Sequence, residues 1–450
     1  MKRLLFAWAT AAFTALAAYL PPLTIPQGVG VNIHFNRGHA ADLDLLATAG
    51  FKFVRMDLGW AGIERRHGEY DWSAYEELIG NLERRGLRAI LILDYSNPLY
   101  EEAVTARNPV SGGEHRDTAS PQHPESVAAF ARWAAAAATH FQGRRVIWEI
   151  WNEPNISFWK PKPDVAQYNT LALATCKAIR AADPKATIIG PATSEVPLPF
   201  LETFFASGVL EYLDAVSIHP YRNYSKPPET AAEDYAKLRA LIAKYAPTKK
   251  KNLPIISGEW GYASHTRGVS LETQAAFAAR QQLANLLAGV PLSIWYDWKN
   301  DGTDAAEREQ NFGVVTDQLA PKPAYLAIKT LTSELAGYRL ERRVSSGSER
   351  DYVLLFTKPR ATPKLAVWTL DDTHSVSLAV TLGSRAAVRA AHAGGVVVES
   401  KAKGREATSF LTASATSGPG QKITLGPDRL SFEVGPPPLY LTLEGVRLKR

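Results

Sequence analysis

From residue 28 to about residue 335 the chain alternates short, nearly unbroken apolar runs with longer stretches whose apolar residues recur at helical spacing. The runs 28–35, 51–59, 87–95, 145–152, 186–192, 213–221, 253–260 and 290–298 predict strands. Their continuous apolar character suits a parallel sheet covered on both faces. Between them 73–85, 124–140, 164–182, 230–245 and 271–287 predict amphipathic helices, and 321–335 reads as a last one. Eight strand–helix alternations over roughly 300 residues match the usual size of a (β/α)8 barrel. A doubly wound open sheet would give the same alternation. Polar residues, however, gather where the strands end: Arg55 and Asp57, Asn152 and Glu153, His219 and Tyr221, Glu259 and Trp260, Trp295 and Trp298. A barrel delivers all these ends to one mouth, whereas an open sheet would spread them along an edge, so the barrel is favoured.

After residue 337 the pattern changes to short alternating runs (352–357, 364–370, 375–382, 422–425, 430–434 and 439–443) separated by turn-rich stretches such as 345–348 and 418–420. This predicts an all-β module, a small sandwich following the barrel without a long linker and packed rigidly against it. The organisation expected is therefore 1–20 as signal peptide or membrane anchor, 21–336 as the barrel, and 337–450 as a C-terminal β-sandwich accessory domain. At the start, Lys2 and Arg3 precede an uncharged run to Leu20, with Ala15-Leu16-Ala17 as a cleavage site, and cleaved or retained this segment implies export to the periplasm or the outside. The 97–123 loop, with Gly112, Gly113, His115 and His123, is long enough to shape a cleft, and its two histidines do not make a metal site.

Composition narrows the chemistry. At 46% hydrophobic and 21% charged residues the 450-residue chain has ample core material. A net charge of +6 is mild, and Lys249-Lys250-Lys251 reads as a solvated loop rather than a nucleic-acid patch. The single cysteine, Cys176, excludes an intrachain disulfide and a cysteine-based zinc site. No phosphate loop, metal-ligand spacing or nucleotide fingerprint stands out, so neither cofactor nor metal is expected.

The strongest chemical feature is Ile147-Trp148-Glu149-Ile150-Trp151-Asn152-Glu153-Pro154-Asn155 at the end of the fourth strand, and the second is Ile255-Ile256-Ser257-Gly258-Glu259-Trp260-Gly261 at the end of the seventh. Strands four and seven would carry Glu153 and Glu259 across one barrel mouth, although they lie 106 residues apart. Glycoside hydrolysis needs such a pair, one carboxyl protonating the leaving oxygen and the other attacking the anomeric carbon. A separation of about 5–5.5 Å gives retention, and about 6.5–9.5 Å admits a water and gives inversion. Glu149, inside the strand, reads as a structural partner of a basic neighbour.

These motifs, together with Phe53-Val54-Arg55-Met56-Asp57-Leu58-Gly59-Trp60, Phe158-Trp159-Lys160-Pro161, His219-Pro220-Tyr221, Ile294-Trp295-Tyr296-Asp297-Trp298 and Pro321-Lys322-Pro323-Ala324-Tyr325, resemble clan A retaining glycoside hydrolases. The likeness is to family 39 and its family 5-like neighbours, and is notable with periplasmic bacterial exopolysaccharide hydrolases. The resemblance implies Glu153 as acid/base and Glu259 as nucleophile. Glu153 would be kept protonated by burial or by anionic Glu259, and Glu259 kept ionised by Arg55, with Tyr221 donating to it. Asn152 would face the sugar 2-hydroxyl, and His219 would bind a hydroxyl or orient Glu153. Trp295 would form the sugar platform, with Trp298, Trp260, Trp159 and Trp60 as further stacking candidates and His34 as a substrate contact. The Ser257-Gly258-Glu259-Trp260-Gly261 segment departs from the Thr-Glu-Trp form of family 39-like relatives. The implied partner is a polysaccharide or oligosaccharide, without nucleic acid, met by a monomeric enzyme. Transglycosylation, or a catalytically idle polysaccharide-binding or assembly protein on the same barrel, are the alternatives.

Overall fold

The structure, a computed structural model, describes residues 19–108, 111–392, 397–403, 406–410 and 423–449, with backbone alone for 397–403 and 406–410. Apart from Tyr19 and Leu20, the stretch expected to be a signal or anchor segment lies outside the described residues, as does the stretch 418–420 expected to turn. Among the described residues no helix is long and apolar enough to cross a membrane.

Eight strands, β1 (Val29–Asn32), β2 (Phe53–Gly59), β3 (Arg88–Asp94), β4 (Ile147–Ile150), β5 (Thr187–Ser194), β6 (Ala215–His219), β7 (Ile255–Trp260) and β8 (Ser293–Trp295), pair in parallel and close into a barrel, with β8 beside β1. The helices α1 (Ala40–Thr48), α2 (Ser73–Glu83), α3 (Pro124–His140), α4 (Val165–Ala182), α5 (Leu198–Ala206), α6 (Ala231–Tyr245), α7 (Leu271–Leu287) and α8 (Pro323–Glu334) follow the strands one for one. Local chemistry fixes their starts. Asp164 accepts from the Ala166 and Gln167 amides ahead of α4, Ser270 accepts from Thr273 ahead of α7, and Pro124 opens α3, where its missing N–H costs nothing.

Strand alternation sorts the side chains. Phe53, Ile90, Ile147, Ile189, Ile256 and Ile294 fill the barrel axis, while Val54, Leu91, Trp148 and Ile150 face the helices. Two residues further along the inner faces of β2 and β4 come polar groups of the mouth, Arg55 and Glu149. The long 97–123 stretch is not shapeless: Ala103–Arg107 pairs with Glu114–Thr118 as a hairpin.

The C-terminal strands are β9 (Arg339–Arg343), β10 (Asp351–Thr357), β11 (Lys364–Thr369), β12 (His374–Ala391), β13 (Val397–Lys403), β14 (Glu406–Phe410), β15 (Ile423–Leu425), β16 (Arg429–Val434) and β17 (Leu439–Leu448). They form an antiparallel sheet in the order β9-β10-β11-β17-β12-β13-β14. The first part of β12 pairs with β16 and its last part with β13. The sheet thereby wraps a second core containing Val353, Leu365, Leu378, Phe432 and Leu441.

The sheet packs on the barrel through one continuous apolar cluster that takes in Leu354, Phe356, Ala366, Trp368 and Tyr440 with the helix-facing barrel residues. Within this seam Arg280 of α7 makes a two-bonded pair with Glu229, at 2.8 Å for both bonds, and the Trp368 indole N–H donates to the same carboxylate at 2.7 Å. All three side chains are buried. Removing one partner of a buried ion pair strands the other, at a cost of about 3–5 kcal/mol. Glu229→Ala should therefore lower the unfolding free energy, read by urea denaturation, by an amount in that range, whereas a loss under about 1 kcal/mol would show that the seam does not depend on this pair.

Candidate active site

Glu153 and Glu259 arrive at the mouth by different local devices. After β4 the backbone enters the left-handed region at Trp151 (φ 65°) and again at Glu153 (φ 48°). Non-glycine residues there cost about 1–3 kcal/mol each and persist only when the surroundings fix them. Here the Trp151 amide donates to Leu93 O and the Glu153 amide to Ala192 O, while the Trp151 ring is fully buried. On β7 the register against β8 slips between Ser257 and Trp260, a bulge that breaks the alternation and lets Glu259 face the mouth while Trp260 turns into the core. Gly258 is needed at the bulge, because a Cβ there would stand 2.4 Å from Ser217 Oγ and 3.2 Å from Glu149 Oε1.

Arg55 ties the parts together. Its Nε donates to Glu149 Oε2 at 2.5 Å, Nη1 to Glu259 Oε2 at 2.6 Å and Nη2 to Asn152 Oδ1 at 2.9 Å. Glu149 is thus the structural partner of a base, and it also accepts from Ser217 Oγ. Glu259 further receives Tyr221 OH at 2.9 Å and Asn32 Nδ2 at 3.2 Å. Asn152 Nδ2 donates to Tyr95 OH at 3.0 Å, which leaves its second amide proton to the cavity. His219 Nδ1 lies 2.8 Å from Glu153 Oε1, and the ring is fully buried, so it contacts Glu153 rather than the open space.

The two carboxyls differ in setting. Burial, opposed by the Arg55 charge and a Ser194 hydrogen bond, pushes Glu153 up to about 7. Burial, only partly offset by Glu259, lowers His219 to about 4, so the imidazole is neutral near pH 7. One oxygen of Glu153, one of Glu259 and a His219 nitrogen all lie within 4.8 Å of one another. The pair opens into a cavity of about 520 Å³ lined by Asp57, Asn152, Phe158, Tyr95, Tyr221 and Tyr296, among others.

Three expected stacking residues are absent from that cavity. Trp260, Trp295 and Trp298 are buried at 1% exposure or less and none lines it. Their N–H groups and faces are used inside: Trp295 donates to Phe312 O, Trp298 to Asp42, and the Arg222 guanidinium sits over Trp260. Trp60 and Trp159 are equally buried. The aromatic surface of the cavity is instead Tyr95, Phe158, Tyr221 and Tyr296. Tyr296 was legible, since Leu292 and Ile294 point to the axis and the next residue on that face is 296, not 295. Asn32 was legible in the same way, two residues before His34 in the 28–35 run. His34 does line the cavity, at its edge, whereas none of the described residues between 97 and 123 does. Asp117 of the hairpin there pairs with Lys160.

Residues 25–302 match the profile of the cellulase family, glycosyl hydrolase family 5. A family 39 glycoside hydrolase from Bacteroides cellulosilyticus WH2 superimposes with a TM-score of 0.73 at 22% identity, covering 95% of this chain and 82% of that one. A monomeric β-xylosidase from Caulobacter crescentus CB15 gives 0.62 at 16% identity, over 94% and 98% of the two chains. Among curated proteins, a β-xylosidase of Caldicellulosiruptor saccharolyticus is 25% identical over 215 residues, 44% of this chain and 43% of that protein. The chain thus spans less than half the length of the curated relative it matches.

The raised Glu153 value carries a stability consequence. Its folded value, about 7, exceeds the ordinary 4.5, so between those pH values the native state keeps a proton that the unfolded chain has released. This contribution is complete below the unfolded value and is lost as pH rises through the folded one. Glu153→Gln removes the penalty. It should stabilise the protein by about 3 kcal/mol at pH 8 and by little at pH 4, read by denaturant unfolding. Equal effects at both pH values would contradict the buried, proton-holding environment.

Proposed function

Because the chain belongs to the cellulase family, glycosyl hydrolase family 5, we propose that its mouth carboxylates cleave glycosidic bonds by double displacement with retention, Glu153 as acid/base and Glu259 as nucleophile. The chain is an O-glycoside hydrolase of clan A with a family 39-like fold. The observation that carries the retaining reading is the approach of one oxygen of each acid within 4.8 Å of the other, a close contact in keeping with the short carboxyl spacing of about 5–5.5 Å that retention uses.

In the first step a Glu259 oxygen forms a bond to the anomeric carbon while the bond to the leaving oxygen breaks, and Glu153 gives that oxygen its proton. In the second, Glu153, now a carboxylate, takes a proton from water as the water oxygen bonds to the anomeric carbon and Glu259 departs. Glu153 is suited to both tasks by a value of about 7, which lets it hold and release the proton near neutrality. Arg55 and Tyr221 match the charge that returns to Glu259. The second amide proton of Asn152 serves the sugar 2-hydroxyl, a contact that strengthens in the transition state. His219 positions Glu153 through its 2.8 Å contact, and the Tyr296 and Tyr95 rings offer faces to the sugar. The β-linked sugars named for the similar xylosidases support a β-linked glycan as substrate. The basic, then apolar start of the chain supports an exported enzyme.

Digestion of a glycan library followed by mass spectrometry identifies the substrate, and proton NMR of the first-formed product should show the anomer of the starting bond. Glu259→Ala and Glu153→Gln should each lower kcat/KM on it by about a thousandfold or more, equivalent to about 4 kcal/mol, while circular dichroism stays unchanged. The wild-type rate should fall on the alkaline side with a midpoint near Glu153's value, about 7. An inverted first product, or full activity in either variant, would overturn the assignment.

A further inference from the structure

Opposite the mouth lies the base of the barrel, where the helices end and the strands begin, and its charge is one-sided. The helix-to-strand loops place Arg84, Arg145, Lys185, Lys249 and Lys251 there, all exposed, and the exposed Arg239 of α6 lines a cavity with Lys251. Ion pairs do form at this end, Arg85 with Asp44, Arg144 with Glu83 and Arg180 with Asp214, but they use other cations. Among the described residues none of the six has a carboxylate at ion-pair distance. Of the acids on the same loops, Asp183 is buried and Asp214 is held by Arg180, which leaves Glu211 exposed against the six. Like charges are even brought together: Arg88, the first residue of β3, and Arg145 both lie against the Tyr19 ring, at 6.0 and 5.8 Å. Burial and the Arg145 charge lower Arg88 to about 10, and its Nε has no hydrogen-bond partner.

Apolar surface lies among these cations. The cavity between Arg239 and Lys251, about 540 Å³, is walled by Leu20, Leu23, Leu253 and Pro254, and Leu23 is 39% exposed. The chain reaches this face at Tyr19, whose amide donates to Thr187 Oγ1 and whose carbonyl accepts from Arg88. Ahead of Tyr19 the sequence carries Lys2 and Arg3 and then no charge. We propose that the base of the barrel is a docking surface for an anionic phospholipid bilayer, its lysines and arginines meeting lipid phosphates and the Leu20–Leu23 groove meeting acyl carbon. Charge complementarity names an anion, and the apolar groove set among the cations, joined to an uncharged run of chain, makes it a lipid rather than a soluble polymer. A bilayer at the base leaves the mouth, at the other end of the barrel, open to glycan.

Flotation of the full chain with vesicles tests this. Vesicles of phosphatidylglycerol mixed with phosphatidylcholine should bind it at least about tenfold more tightly than phosphatidylcholine alone in about 0.1 M NaCl, and about 1 M NaCl should abolish the difference. The double substitution Lys249→Gln, Lys251→Gln should weaken binding to the anionic vesicles by about tenfold or more, and Lys185→Gln by about fivefold. Lys162→Gln with Lys226→Gln, which removes as much charge from exposed positions on the mouth-side loops, should leave it unchanged. No preference for the anionic vesicles would assign any binding to the apolar start of the chain and overturn the proposal. A preference that the base variants retain, or that the mouth-side pair weakens equally, would overturn it too. Retention on heparin without binding to the vesicles would assign the base to a soluble polyanion and overturn the lipid reading.

Discussion

The site depends on one buried guanidinium. Arg55, 1% exposed, reaches from β2 to Glu149 on β4, to Asn152 just past it, and to Glu259 on β7. Burial works against its charge, yet Glu149 and Glu259 more than offset this and hold it cationic. A planar fork with donors on three sides can satisfy these three partners at once, which a lysine ammonium on a flexible stem could not do in the same geometry. Glu149, itself fully buried, is what fixes the fork from below. Glu259 is then oriented from above by the same cation, with Tyr221 and Asn32 completing its shell.

Around this hub the two acids are set apart by environment rather than by type. Glu153 sits on a left-handed backbone, near a neutral imidazole and, among the described residues, without a direct cationic partner, so burial dominates and it keeps its proton to about pH 7. Glu259 meets the guanidinium directly. Two glutamates of equal intrinsic acidity thereby stand in the different environments that the proposed acid/base and nucleophile roles require. The strain at Trp151 and Glu153 is tolerated because the Trp151 ring is locked among Tyr95, Phe130 and Trp159.

Much of this was legible in the chain. Seven of the eight apolar runs contain their observed strands and the eighth, 186–192, falls two residues short of the end of β5; the 124–140 and 271–287 helices appear with those bounds, and Glu153, Glu259, Arg55, Asn152 and Tyr221 converge on one cavity. What escaped has physical reasons. Trp295 was chosen for its size, but on a strand a shift of one residue changes the face, and size favours the core as much as a platform. The β7 bulge around Gly258 shows only in a register shift, which a single sequence does not display. The hairpin inside 97–123 and the strands β13 and β14 carry few of the apolar residues that mark buried strands, and helix α5 is short and nearly all apolar, without the polar face that signals an amphipathic helix.

The account stands or falls on which atom bonds to the sugar. Incubation with a 2-deoxy-2-fluoro-β-xylosyl or -glucosyl donor bearing a good leaving group slows the second step and traps the adduct for peptide mass spectrometry. The account predicts one added sugar per chain, on Glu259, and none in a Glu259→Ala variant. A sugar found on another residue, or turnover by the wild type without any adduct, would contradict it.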